Sequence, residues 1–267
     1  MKLIQKIKNR LGRLFSKYNR NLLTELILAD FKAYDHNSVL GVFWSLLNPL
    51  VMLLVMYCVF ENRFVRGDRF YPLYLLVGIT TVNFFISVTG KVIRSIPANR
   101  NILLNSTVLR EDFILADMFV GAYKFVIELI LCWGMSFFYG LFFWKSLFFA
   151  LPLLAAYVGI VSGVGFIVAL LHCFAVDIEH IWRIVSRLLL FISPVFYKLH
   201  NISPAFSKVI YWANPITPFL IAFRELIVDK TPINLANYFY CIFLGAGFFI
   251  FGYFVFIIFE NKAIERI

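Results

Sequence analysis

The sequence predicts an all-α integral membrane protein with six transmembrane helices, an N-terminal amphipathic interfacial helix, and short re-entrant outer-face helices between spans 5 and 6. Composition is the first observation, because 61% of the 267 residues are hydrophobic and only 15% are charged. Soluble domains average about 45–50% apolar and about 25% charged residues. The second observation is that the apolar residues cluster into runs long enough to cross a bilayer.

The N-terminal segment, residues 1–36, alternates apolar and basic residues at helical spacing. Seven cations lie mostly between the apolar positions: Lys2, Lys6, Lys8, Arg10, Arg13, Lys17 and Arg20. Such a helix can lie in the headgroup layer with its cations toward anionic lipid. The pattern favours this interfacial helix over a solvated helix that packs on a partner.

Six hydrophobic units follow within residues 37–267. They cover residues 40–60, 73–95, 113–142, 147–172, 182–199 and 235–259. The chain has room for little beyond these units and their connections, so we expect a single transmembrane domain over 1–267.

The first unit contains Asn48 and Pro49 less than halfway along its length. Pro49 removes a backbone donor and disturbs regular helix, and Asn48 brings an amide to a depth where lipid offers no partner. Beside a polar conduit the pair would supply a bend and a hydrogen-bonding group. The alternative is a tolerated kink whose polar groups are satisfied by a neighbouring helix.

The third unit carries Lys124 and Glu128 at i, i+4 spacing. A charge in mid-membrane normally faces protein, water or an opposite charge. The sequence favours a neutralised interhelical pair, or side chains that snorkel toward the membrane surface. A proton or cation relay is the less favoured alternative. In the fourth unit, a row of small residues, Ala155, Ala156, Gly159, Ser162 and Gly163, permits close helix approach and favours packing within the chain over a dimer seam.

The fifth unit is short, because only about fifteen residues between Arg183 and Lys198 are reliably apolar and a straight span needs about 20. It is expected to cross incompletely. Two amphipathic pieces follow at about 204–212 and 215–228, and we expect them to dip into the outer leaflet as short helices.

Orientation follows from the distribution of Lys and Arg between alternate connections. With the N-terminus inside, sixteen cations lie on the cytoplasmic side and eight on the outer side. The positive-inside rule therefore predicts that both termini are cytoplasmic.

Three blocks carry a family resemblance: "NSVLGVFWSLLNPLVMLLVMYCVF" at 37–60, "SPVFY" at 193–197 and "NPITPFLIAFRELI" at 214–227. Their order and separation resemble the permease subunits of ABC-2-type polysaccharide exporters, which move O-antigen, capsular or teichoic-acid chains. The chain departs from the family before the Leu40-Gly41 pair. Members usually have a basic run there, whereas this chain has Lys32 with Asp35 and His36.

The resemblance implies a homodimer joined to two separate ABC ATPase subunits in the bacterial inner (cytoplasmic) membrane. It also implies that a lipid-linked polysaccharide moves through a pore between the first and fifth spans of the two copies. The candidate conduit residues are Trp44, Asn48, Tyr57, Phe60, Phe191, Phe196 and Tyr197. The candidate contacts to the ATPase are Asn99, Arg100, Asn101 and Asn105, with Asp177 and Glu179 in a second inner loop. The expected partners also include membrane lipids but no nucleic acid.

No GxxxxGK[ST] phosphate loop occurs in the sequence. No cofactor is therefore expected in this chain, and ATP and Mg²⁺ are expected on the partner ATPase. The four cysteines lack CxxC or other metal-ligand spacing, so no metal site is expected.

Two rival functions have different sequence requirements. A membrane enzyme acting on lipid-linked sugars needs convergent acids, bases or metal ligands, whereas the four histidines are scattered and no DxD or HxxxH arrangement occurs. An ion-coupled secondary transporter usually contains a repeated pair of broken spans, and no convincing repeat is visible. Both rivals are weaker than the exporter permease.

Overall fold

The computed structural model describes residues 17–35, 43–64, 69–105, 108–229 and 233–264. All regular structure within these ranges is helical. The helices are α1 (Lys17–Asp35), α2 (Phe43–Phe64), α3 (Tyr71–Val92), α4 (Ser95–Ala98), α5 (Arg100–Asn105), α6 (Arg110–Phe138), α7 (Trp144–Phe174), α8 (Asp177–Ile192), α9 (Pro204–Ala213), α10 (Ile216–Ile227) and α11 (Leu235–Ile264). A short 3₁₀ turn covers Leu199–Asn201.

Four of these helices, α2, α3, α7 and α11, are long and apolar enough to cross a membrane. The sequence predicts six spans, and the third and fifth units account for the difference. Helix α6 is 29 residues long but carries charged residues along its length, among them Asp117, Lys124 and Glu128. Helix α8 has only 16 residues, about 24 Å at 1.5 Å per residue, which is less than the apolar thickness of a bilayer.

The fifth unit ends earlier than predicted. The expected unit runs to residue 199, whereas α8 ends at Ile192 and the chain then bends through Ser193–Tyr197. Pro194 cannot donate a backbone hydrogen bond to continue the helix, and the Asn214 side chain donates to Ser193 Oγ over 2.8 Å. The two amphipathic pieces predicted after this bend are helical, as α9 and α10, and their depth in the membrane stays a prediction.

Helix α3 is the centre of the fold, with contacts to α2, α6, α7, α8 and α10. An aromatic cluster joins these elements around Tyr157 of α7, whose ring lies 4.9 Å from Phe219 and 5.5 Å from Phe84. The Tyr157 hydroxyl donates to the Thr81 carbonyl over 2.6 Å. Its polar tip is thereby satisfied in a buried environment, as buried polar groups require.

Helices α7 and α11 form the most extensive helix pair of the chain. The small-residue row predicted from the sequence lies in this contact. A Cβ atom at Gly163 would collide with the Phe248 carbonyl, and a Cβ at Gly245 or Gly252 would collide with the α7 backbone. The row therefore packs within one chain, because only glycine lets the two backbones approach this closely.

We expect Gly163→Ala to lower the thermal unfolding midpoint of the detergent-solubilised protein. Overpacking at such a contact costs about 1–3 kcal/mol. Gly247→Ala on α11 is the matched control, since nothing lies within 4 Å of its added Cβ, and alanine there gains about 1 kcal/mol of helix propensity. Equal midpoints for the two variants would show that the α7–α11 contact is looser than described.

Candidate functional site

A polar groove runs between α3 and α8, with a cavity of about 770 Å³. Its α3 wall carries Asn83, Ser87 and Lys91, at successive i, i+4 positions of a largely apolar helix. Its α8 wall carries Arg183 and Arg187 with the same spacing. Because residues four apart share one helix face, the two polar stripes face each other across the groove.

Charges concentrate at one end of this groove. Arg94, just after α3, lies 3.9 Å from Glu179 of α8, and Arg183 lies 3.0 Å from the same carboxylate. Trp182 ties the two walls together, because its indole N–H donates to Thr89 Oγ1 over 3.0 Å. Among the described residues that line the groove, Glu179 is the carboxylate among several cations.

Lys91 joins the groove to three other elements. Its Nζ lies 2.6 Å from Asp30 Oδ2 on α1 and 2.6 Å from Asp117 Oδ1 on α6. Asp117 also accepts a hydrogen bond from Ser95 Oγ, at the start of α4. Helix α1, the groove and the segment that leads to α5 therefore meet at one lysine.

The predicted conduit residues fall into two groups in the structure. Trp44 on α2 and Phe191 on α8 are 48% and 61% exposed and present large apolar faces outside the chain. Phe196 is buried, and its ring stacks on Phe60 at 4.9 Å. The first pair offers a free surface, whereas the second pair packs α2 against the bend after α8.

The two conduit tyrosines make defined contacts within the chain. The Tyr197 hydroxyl donates to the Ile192 carbonyl over 2.7 Å, and the Tyr57 ring lies 6.4 Å from that of Tyr71. Replacing either tyrosine would therefore change local packing as well as the surface.

Asn48 lies on a second, smaller cavity of about 190 Å³ between α2, α3 and α6. Lys124 and Glu128 line the same cavity. Asn48 of α2 and the pair Lys124 and Glu128 of α6 thus line the same polar cavity within the chain.

The predicted ATPase contacts lie on and around α4 and α5. Arg100, Asn101 and Asn105 are exposed on α5, a helix with no buried residue, while the Asn99 amide donates to the Ser95 carbonyl over 2.8 Å. In the second inner loop Asp177 is exposed. Glu179 instead pairs with the arginines of the groove.

The predicted basic interfacial helix is only partly described. Lys2, Lys6, Lys8, Arg10 and Arg13 lie outside the described residues, and Lys17 and Arg20 belong to the first turns of α1 without described side chains. The described part of α1 packs on α6, where the Phe31 and Tyr123 rings meet edge to face at 5.0 Å.

A buried arginine organises the opposite end of the molecule. Arg224 of α10 donates to the carbonyls of Pro194 over 2.7 Å and Val195 over 2.9 Å, and also reaches the Tyr74 carbonyl. Its guanidinium stacks 3.4 Å from the Tyr74 ring centroid. The guanidinium stays charged at neutral pH and holds the bend after α8.

Sequence reasoning identified neither the groove nor the role of Arg224. The signal for the groove was the i, i+4 spacing of Asn83, Ser87 and Lys91, a polar stripe in an apolar span. Among the described residues, no three His, Cys, Asp or Glu side chains come close enough together to hold a metal ion.

Comparisons with known proteins give consistent results. The family described as ABC-2 type transporter matches residues 21–228. Two O-antigen export system permease proteins RfbA from Klebsiella pneumoniae are similar to the chain. One is 25% identical over 227 residues, or 85% of each protein. The other is 26% identical over 225 residues, or 84% of this chain and 85% of the relative.

Proposed function

The chain belongs to the ABC-2 type transporter family, and on that premise we propose that it is the permease subunit of an ATP-driven exporter of lipid-linked polysaccharide. The cargo is a polymer of the O-antigen, capsular or teichoic-acid type, moved from the cytoplasm across the bacterial inner membrane. The similarity to O-antigen export permeases over most of the chain supports this cargo class. The excess of cations on the proposed cytoplasmic side supports a cytoplasmic location for both termini.

The observation that carries the proposal is the polar groove next to α2 and α8, two helices whose side chains are mostly not buried within the single chain. Only 17% of the apolar window of α2 is buried, against 72% for α3. Helix α8 has only Ser186 buried. A second copy of the chain would cover these faces and enclose a polar route between the two copies.

The proposed permease has six membrane segments, of which the fifth, α8, does not cross completely. Helix α6 is about 43 Å long at 1.5 Å per residue, enough to cross despite its charges, which face neighbouring helices and the small cavity around Asn48. Helix α8 crosses only in part, and α9 and α10 fill the remaining outer depth as re-entrant helices. Non-helical backbone is tolerated at that depth where other protein groups satisfy its hydrogen bonds. Arg224 does this for two carbonyls of the bend after α8.

Energy comes from a separate subunit in this proposal. The sequence has no phosphate loop, so ATP and Mg²⁺ bind two ABC ATPase subunits that dock below the permease dimer. Helix α5 suits this docking because Leu104 is 59% exposed beside the polar Arg100 and Asn101. An apolar anchor with a polar rim is a common form of protein interface.

We expect Trp44→Ala and Phe191→Ala to lower export or shorten the exported polymer while the thermal unfolding midpoint stays unchanged. Both side chains are largely exposed in the single chain, so their loss removes little packing. Phe148→Ala is the matched control, since Phe148 on α7 is 76% exposed and is not among the predicted conduit residues. Unaltered export in both variants, measured per folded molecule, would place the conduit elsewhere.

A further inference from the structure

A cavity of about 670 Å³ lies where the loop between α6 and α7 meets the end of α10 and the start of α11. Among the described residues, it shares no lining residue with the α3–α8 groove. In the proposed topology this end of the molecule is on the outer side of the membrane. Much of the cavity wall is apolar, formed by Phe142, Phe143, Phe149, Leu226, Ile233 and Leu235.

Two carboxylates also line this cavity. Glu225 lies in the last turn of α10, and Asp229 follows just after that helix ends. One oxygen of Glu225 accepts the backbone N–H of Asn234 over 3.1 Å, and a carboxylate has more acceptor positions than this one bond uses. The Asp229 side chain is exposed. A group that donates several N–H bonds therefore finds two charged acceptors here.

The start of α7 supplies the opposite charge. Lys145 lies in the first turn of this helix, lines the cavity and is exposed, with its Nζ 5.8 Å from the ring centroid of Phe143. Phe143 precedes the helix and gives its first N–H groups no side-chain cap. A cation beside a helix N-terminus favours an anionic ligand group. The cavity thus offers positions for both an anion and a cation.

Large apolar side chains connect this cavity with the lipid-facing surface. Phe143 and Leu235 line the cavity and are 59% and 55% exposed. Farther along α7 and α11, Phe148 and Phe239 are 76% and 53% exposed. Hydrocarbon chains can therefore lie along α7 and α11 while a polar head occupies the cavity.

We propose that this cavity binds the head of a zwitterionic phospholipid with a primary amine, of the phosphatidylethanolamine type, from the outer leaflet. Lys145 and the N-terminus of α7 hold its phosphate, and Glu225 and Asp229 accept hydrogen bonds from its ammonium group. Phosphatidylglycerol has no cation for these carboxylates, and the quaternary ammonium of phosphatidylcholine has no N–H to donate. The inference rests on the proposed function only for the outer position of this end of the molecule.

Titration of the purified, delipidated permease with phosphatidylethanolamine, followed by native mass spectrometry, tests the site. The variant is Glu225→Gln with Asp229→Asn, in which glutamine keeps an acceptor for the N–H of Asn234. The matched control is Glu25→Gln with Asp177→Asn, two exposed carboxylates outside the cavity. Loss of charge-assisted hydrogen bonds should weaken binding by about tenfold or more in the first variant only. Equal thermal midpoints establish that both variants fold.

A second variant and two other lipids identify the chemistry that is recognised. Lys145→Gln should also weaken binding of phosphatidylethanolamine, because the phosphate loses its cation, and Lys145 is exposed, so folding is unaffected. Phosphatidylcholine and phosphatidylglycerol should bind the wild type more weakly than phosphatidylethanolamine does. Unchanged binding in either cavity variant overturns the proposal, and equal affinity for the three lipids does so as well.

Free phosphoethanolamine separates a lipid from a soluble ligand. It carries the same head without hydrocarbon chains and should compete poorly, whereas competition as strong as that of the lipid would overturn the assignment to a phospholipid. ATP-dependent export without head-group-selective binding refutes this site and leaves the exporter intact. Head-group-selective binding without ATP-dependent export refutes the exporter and leaves the site intact.

Discussion

Replacing Arg224 with methionine should destabilise the protein by about 1–3 kcal/mol for each buried carbonyl that is left without a donor. Three backbone carbonyls, those of Tyr74, Pro194 and Val195, would lose the donor that Arg224 provides. Methionine fills similar volume without donating a hydrogen bond, so the Pro194 and Val195 carbonyls would lose this buried donor, whereas the Tyr74 carbonyl lies within α3 and keeps its helical partner. The bend that follows α8 would then lose its anchor to α10 and α3.

Thermal unfolding in detergent measures this effect, and Lys208→Met on the exposed face of α9 is the control. Arg224→Lys should fall between wild type and Arg224→Met, because an ammonium group cannot serve all the acceptors that the guanidinium fork reaches. Gly78→Ala should act through the same contact, since its Cβ would lie 2.6 Å from Arg224 Nη2. A wild-type midpoint in Arg224→Met would mean that the outer bend holds without the arginine.

The double substitution Arg100→Glu, Leu104→Asp should abolish ATP-dependent export while leaving the permease folded. Neither side chain is buried in the chain, so the change should act on the interface with the ATPase. A new carboxylate at the centre of an apolar contact is poorly solvated and repels other acidic groups. Copurification of the ATPase and its permease-dependent hydrolysis rate are the two measurements.

Lys208→Glu is the charge-reversal control for that experiment, because it lies on α9, far along the chain from the α4–α5 segment. It should leave both measurements unchanged. Normal complex formation and normal export in the Arg100→Glu, Leu104→Asp variant would remove α5 from energy coupling. The loop around Val176 and Asp177, which is also exposed, would then be the remaining candidate for the contact with the ATPase.

Hydropathy predicted the long helices well because burial in lipid leaves a continuous signal in the sequence. The unit expected at 147–172 is the helix Trp144–Phe174, and the unit expected at 235–259 is Leu235–Ile264. The fifth unit was predicted too long, since residues 193–197 are apolar but bend. A hydropathy scale measures the free energy of transferring these side chains into lipid. It does not register that Pro194 lacks the backbone N–H that a continuing helix needs.

The rotation of each helix about its axis was beyond single-sequence reasoning. Arg183 entered the prediction as the start of an apolar stretch and Arg187 only as one of the sixteen cytoplasmic cations, because nothing local shows that they face Ser87 and Lys91 across a groove. Phe196 was assigned to the conduit surface, yet the bend turns it inward against Phe60. Such contacts depend on which helices become neighbours, and no periodicity within one segment records that.

ATP-dependent transport by purified components tests the central claim most directly. The permease is reconstituted into vesicles with and without its ABC ATPase, and the appearance of a lipid-linked polysaccharide on the opposite side is followed after ATP is added. We predict transport only when both subunits and hydrolysable ATP are present, with no effect of an imposed proton or sodium gradient. Transport by the permease alone, driven by such a gradient, would contradict the account.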